Sequence, residues 1–149
     1  MSEILILDEW FIHDISGDNG EERQRETFSF AEKVFKKCDK LAVIVGGTFM
    51  QKYYNLLMSD SRLKIRLLSK YLNLHFFINP SKCVKLTTVQ ELNEGIRNQI
   101  PIDKEYLYQI YQTLGEGKII TTNEDIENIP NTYIRNNFLS VYNIFNNAF

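Results

Sequence analysis

Four oxygen-bearing side chains stand where an apolar run gives way to a turn or a helix. Asp8 closes the run Ile4-Leu5-Ile6-Leu7, and Asp103 follows Pro101-Ile102 at the head of an amphipathic stretch. Asn123 and Asp125 follow the run from Lys118 to Thr121. Carboxylates gathered in one place repel each other and hold their protons more tightly unless a cation lies between them. A hard divalent ion is the natural partner for such oxygens. It lowers the pKa of its bound water and stabilises charge on a phosphate. Each residue also has a structural role open to it: Asp8 and Asp103 stand where helix N-caps stand, and Asn123 and Asp125 are common turn residues.

Other polar residues carry weaker signals. Arg62, Lys64, Arg66 and Lys70 form a compact basic cluster. On a helix this is a solvated face, and for an RNA ligand it is the first candidate for backbone contact, because phosphate neutralisation supplies non-specific affinity. Asp14 is near enough to Asp8 in sequence to join it, but a solvated loop position is the expectation. His13 and His75 lie too far apart to form a local motif. Gly46-Gly47 lacks the Gly-Lys-Ser/Thr continuation of a phosphate loop and reads as a tight strand-to-helix turn. Trp10 and Phe11 beside Asp8 can stack a base, though burial is the simpler reading.

These residues need elements to hold them. Ile4–Leu7 and Leu41–Val45 are apolar without alternation, as in strands covered on both faces. Glu21–Lys37 reads as a helix with acids at its start and lysines at its end. A second helix carries Phe49, Met50, Tyr53 and Tyr54. A third runs from Ser61 with Leu63, Leu67, Leu68, Tyr71 and Leu72 inward. His75–Ile78 and Cys83–Leu86 read as short β-like runs about Pro80, and Val89–Ile96 as helical. The helix opening at Pro101-Ile102-Asp103 has the clearest 3.6-residue pattern, in Tyr106, Leu107, Ile110, Tyr111 and Leu114. Lys118–Thr121 is the next strand, and a strand at Phe138–Tyr142 with a short tail helix completes the pattern. Strands alternating with helices predict a three-layer α/β/α domain with a short parallel sheet, spanning residues 1–149 as one unit. Function in such a sheet gathers outside the carboxyl ends of the strands.

Composition narrows the classes. The formal net charge of −2 speaks against a dedicated, strongly basic nucleic-acid binder, so any such binding rests on a local patch. No apolar stretch is long enough to span a bilayer, which points to no membrane association and a cytoplasmic location. Cys38 and Cys83 show no metal-ligand spacing and read as reduced thiols, one or both half buried.

An apolar strand ending in Asp8, Asp103 at the head of an amphipathic helix, and a strand running into Thr121-Thr122-Asn123-Glu124-Asp125 together resemble the PIN-domain family. The resemblance runs from about Ile4 to the tail. It implies a Mg²⁺- or Mn²⁺-dependent ribonuclease that cleaves RNA phosphodiesters with metal-activated water. The family also includes toxins of toxin–antitoxin pairs, which implies an antitoxin-like partner or a homodimer. By position Asp8 and Asp103 match metal-binding aspartates, and Asn123 falls where the family has another Asp, with Asp125 two residues on. A glutamate expected in the helix after the second strand is missing, for Gln51 or Lys52 stands there. An ammonium at Lys52 would neutralise Asp8 and Asp103 and make a metal unnecessary. A catalytically degenerate PIN-like module that binds RNA or protein is therefore the competing expectation. A receiver-like signalling domain ranks last, since the run Leu41–Val45 ends in Gly46-Gly47 and not in Asp.

Overall fold

A computed structural model describes residues 2–146 of the chain. Its centre is a five-stranded, wholly parallel sheet in the order β3-β2-β1-β4-β5. The strands are β1 (Ile4–Leu7), β2 (Lys40–Ile44), β3 (Cys83–Leu86), β4 (Lys118–Thr121) and β5 (Thr132–Ile134). Helices α1 (Trp10–Ile15) and α2 (Glu21–Lys36) separate β1 from β2. Helices α3 (Thr48–Met58) and α4 (Leu63–Leu72) precede β3. The short α5 (Glu94–Arg97) and the longer α6 (Glu105–Leu114) precede β4, and α7 (Arg135–Asn146) follows β5. The expected three-layer α/β/α architecture is what the chain adopts.

Each face of the sheet has its own core, because successive strand residues point to opposite sides. Leu5, Leu7, Leu41, Val43 and Ile120 face one way, against aromatic residues of α1, α2, α3 and α7 such as Phe11, Phe30, Phe49 and Tyr142. Ile6, Ala42 and Ile119 face the other way, against Leu107, Tyr108 and Ile110 of α6. The unbroken apolar runs of β1 and β2 therefore have the reason read from the sequence: both of their faces are buried.

Several local expectations are corrected. His75–Ile78 is not β-like, since Asn73–Phe77 continues α4 as a turn of π-helix. The wider turn lets the adjacent Phe76 and Phe77 both reach full burial. The segment from Val89 is irregular until α5, where Asn93 accepts a hydrogen bond from the Ile96 N–H and starts that short helix. Phe138–Tyr142 belongs to α7, and the fifth strand lies just ahead of it at Thr132–Ile134. Leu63 and Leu67, expected inward, are 63% and 55% exposed, whereas Ile65, Ser69 and Leu72 are the buried positions of α4. α6 ends at Gly115, which takes the left-handed conformation, and its N–H bonds back to the Tyr111 carbonyl.

A polar clasp closes the helical layer beneath α7. Arg135 and Asp14 are almost wholly buried. Arg135 Nε donates to Asp14 Oδ2 at 2.9 Å, and its other nitrogens reach Thr27, Glu26 and Asn136. Thr27 Oγ1 donates to the same Asp14 oxygen, and Asn19 donates to the other. Asp14 is thus not a solvated loop residue, for it ends α1 inside the protein. Arg135→Ala would leave that carboxylate with only Arg23, whose Nε lies 3.4 Å from its other oxygen, as counter-charge, and should cost about 3 kcal/mol, measurable by urea denaturation.

The cysteines differ in environment. Cys38 is exposed at a positive φ of 67°, while Cys83 lies in β3, buried, and burial pushes its thiol up to about 11. A thiol reagent at mildly alkaline pH should therefore label Cys38 alone in the native protein and both cysteines in denaturant. Rapid native labelling of Cys83 would contradict this packing.

Candidate functional site

The strand order reverses direction at β1 and β4: the chain leaves β1 toward β2 and β3 on one side, and reaches β4 and β5 on the other. Such a switch point opens a crevice outside the carboxyl ends of its two central strands. Asp8 follows β1 directly, and Thr121 ends β4. A cleft of about 330 Å³ lies over them, walled by Glu9, His13, Asn19, Arg23, Lys104 and Thr122, with Asp8 in its lining.

Asp8 is 1% exposed, and both of its oxygens are engaged. Oδ1 accepts from the Glu9 N–H at 2.7 Å and from the Tyr106 hydroxyl at 3.1 Å. Oδ2 accepts from the Thr121 hydroxyl at 2.8 Å and meets the Lys104 ammonium at 2.7 Å. The backbone N–H of Asp8 itself donates to the Ile120 carbonyl, which also takes the Trp10 indole N–H at 2.8 Å. Burial, and then the neighbouring carboxylate, holds the Tyr106 hydroxyl far above the ordinary phenol range, so it stays a donor to Asp8.

Asp103 reaches the same corner from outside. Its side chain is 75% exposed, and Oδ2 lies 3.8 Å from the Lys104 ammonium. One lysine thus stands between the two aspartates, closely paired to Asp8 and loosely to Asp103. Asn123 is placed otherwise: its Oδ1 accepts from the Asp125 N–H at 3.0 Å and caps the short turn that follows β4. Asp125 is exposed in that turn.

Lys52 also finds an acid, but a different one. Its ammonium lies 2.8 Å from Glu9 Oε2 at the rim of the crevice, and Gln51 turns back to donate to the Gly46 carbonyl. The ammonium beside Asp8 comes from Lys104. Glu9, Lys104, Tyr106 and Thr121 were given no site role from the sequence, Tyr106 being read as core and Thr121 as the end of a strand; each lies within three positions of a residue singled out as a site candidate.

Trp10 and Phe11 are 5% and 0% exposed and so offer no stacking surface. Arg62 is committed locally, with two nitrogens on Asp60 and a third on the Ser16 carbonyl. Lys64 stands 3.9 Å from Glu21. Arg66 and Lys70 are exposed and have no salt bridge among the described residues. His13 Nδ1 lies 3.2 Å from Asp18. That contact, ahead of the Ser16 hydroxyl, draws the Asp18 carboxyl below the usual range.

Among the described residues no three of His, Cys, Asp and Glu are grouped to hold one metal ion. At Asp8 the reason is chemical. Both carboxylate oxygens are saturated by donors, and the strongest of these is a cation. A divalent ion would have to displace Lys104 and compete with Thr121 and Tyr106 for the same lone pairs, so the arrangement does not fit one.

Compared with protein-family models, curated proteins and solved structures, the chain matches none.

The Asp8–Lys104 pair is close and largely desolvated, so removing one partner leaves the other with an uncompensated charge. Lys104→Met should therefore destabilise the fold by about 3 kcal/mol, while Lys52→Met, whose partner is half exposed, should cost no more than about 1 kcal/mol. Thermal or urea unfolding of the two variants side by side checks the contrast.

Proposed function

We propose that this chain is a catalytically silent PIN-like module that works by binding a partner and not by cleaving RNA. The observation that carries this reading is the Lys104 ammonium standing between Asp8 and Asp103, 2.7 Å from the first and 3.8 Å from the second. In the nuclease chemistry that the sequence resemblance implies, a divalent cation balances those charges and activates water. An ammonium balances them as well, but it has no open coordination position and generates no hydroxide. The pairing of Lys52 with Glu9 supports the same reading, since it takes up the remaining acid at the rim. Asn123 further lowers the acidic count, and its carbonyl is spent as a cap.

A cytoplasmic location goes with this proposal, because the two free thiols suit a reducing compartment. No helix among the described residues is long and apolar enough to cross a membrane.

The second reading, a Mg²⁺- or Mn²⁺-dependent ribonuclease, draws on the placement of Asp8 at a topological switch point and on Asp103 facing the same cation. Arg62, Lys64, Arg66 and Lys70 would then meet the RNA backbone. Titration calorimetry with Mn²⁺ near neutral pH, paired with single-stranded RNA incubation, separates the two. The binding-module proposal expects no saturable heat and no cleavage from the wild type. Lys104→Gln, which removes the ammonium, should gain Mn²⁺ binding that Asp8→Ala/Lys104→Gln lacks. Saturable binding and cleavage by the wild type, both lost in Asp8→Ala, would establish the nuclease instead.

A further inference from the structure

The crevice leaves one conspicuous surface unused. Along α4 and the π-turn that extends it, positions 63, 67, 70, 74 and 78 recur at intervals of three or four residues, the spacing of a single helical face. Leu63, Leu67, Leu74 and Ile78 on this face are 63%, 55%, 63% and 57% exposed. Isolated exposed leucines need no explanation, but four in one register form a stripe, and such stripes mark interaction sites.

The charge on this face is equally uneven. Arg62, Lys64, Arg66 and Lys70 lie on α4 or at its start, and α4 itself carries no acidic residue, although the overall net charge is −2. Lys70 lies within the apolar stripe and Arg66 lies beside it. Neither forms a salt bridge among the described residues, though Arg66 contributes to the field that lowers the Asp60 carboxyl. Arg62 and Lys64 flank the start of the same helix.

We infer that the exposed face of α4 is a docking surface for an acidic amphipathic helix of a protein partner. Apolar anchors at helical spacing match the helix-in-groove mode of recognition, and the cations alongside match acidic residues flanking the partner's own apolar stripe. The stripe runs for roughly 22 Å at the helical rise per residue, which accommodates about four turns of a partner helix. A second copy of this chain is a poor occupant, because two-fold pairing would set the basic face against itself. RNA has no use for the leucines, which would lie against charged phosphates. An anionic membrane would meet both features, but the stripe lacks the Trp or Phe that such surface helices commonly insert. This inference does not depend on whether the crevice binds metal.

The test uses the full chain and a fluorescein-labelled synthetic peptide about four turns long, with leucines on one face and glutamates elsewhere. Fluorescence anisotropy at physiological salt should show saturable binding. Leu67→Ser/Leu74→Ser, which touches only exposed positions, should weaken it roughly tenfold or more with an unchanged melting temperature. Arg66→Glu/Lys70→Glu should likewise lose the acidic peptide and gain a Leu/Lys peptide of the same pattern, a result that misfolding cannot produce. Absence of binding, equal binding of both peptides by the wild type, or unchanged affinity in both variants would overturn the inference. So would dimerisation abolished by the leucine changes in sedimentation velocity. Oligo(U) RNA or anionic vesicles bound through these residues in place of the peptide would overturn it too.

Discussion

A carboxylate can be buried at the end of a strand only if donors surround it, and at Asp8 that requirement draws distant parts of the chain together. Its four partners come from the residue that follows it, from the end of β4, from the first turn of α6 and from the turn just before α6. Without them the group would carry the full cost of desolvation. The corner where β1 and β4 meet α6 is therefore specified by hydrogen-bond geometry as well as by apolar packing. It is also the corner where a parallel sheet of this order opens its crevice. One interaction thus sets both the local architecture and the electrostatic character of the candidate site.

The same logic operates a second time, deeper in the helical layer. Asp14 is as buried as Asp8, and it is answered by Thr27, Asn19 and Arg135. The Arg135 guanidinium also lies over the Trp10 ring, with its carbon 5.2 Å from the ring centroid. Buried pairs of this kind add little net stability compared with well-packed apolar residues, but breaking one is expensive. Their effect here is to fix where α1, α2 and α7 sit. The two aspartates lie at opposite ends of the short segment Asp8–Asp14, so the course of the chain after β1 is pinned at both ends.

Charge in the protein is consequently divided into two regimes. At the crevice, the acids have cations within reach: Lys104 closely for Asp8 and loosely for Asp103, and Lys52 for Glu9. Little unbalanced field remains there to recruit a divalent ion. On α4 the cations at Arg66 and Lys70 form no salt bridge among the described residues, and they stand among exposed leucines. Cations and uncovered apolar surface thus coincide on α4, away from the place where the sheet would position catalysis.

Much of the architecture was legible because periodicity is a local property. The apolar runs of β1 and β2, the acid-to-lysine polarity of α2 and the spacing of Tyr106, Leu107 and Ile110 in α6 depend only on neighbours in sequence, and they led to an α/β/α domain. Errors arose where a short apolar run could serve either period. His-Phe-Phe-Ile at 75–78 and Phe138–Tyr142 both read as strands on composition, and both are helical because the helix before or after them continues. The leucines of α4 gave the same helical signal whether inward or outward. Only the packing of α4 against α3 and α1 decides that Ile65 and Leu72 go in while Leu63 and Leu67 stay out.

The candidate site divides along the same line. By itself the sequence determined that Asp8 ends a buried strand and that Asp103 stands at the approach to a helix, since each follows from the residues beside it. The partner of Asp8 was decided only in three dimensions. Lys104 and Lys52 are both lysines near an acid in the folded chain, and no spacing rule tells which ammonium reaches which carboxylate. That choice depends on where the turn before α6 meets the ends of β1 and β4, and this in turn depends on long-range packing of α6 against the sheet. Burial then gives the choice its weight: an ion pair sealed at 2.7 Å between β1 and α6 governs the chemistry of the crevice, whereas the same two residues in solvent would scarcely notice each other.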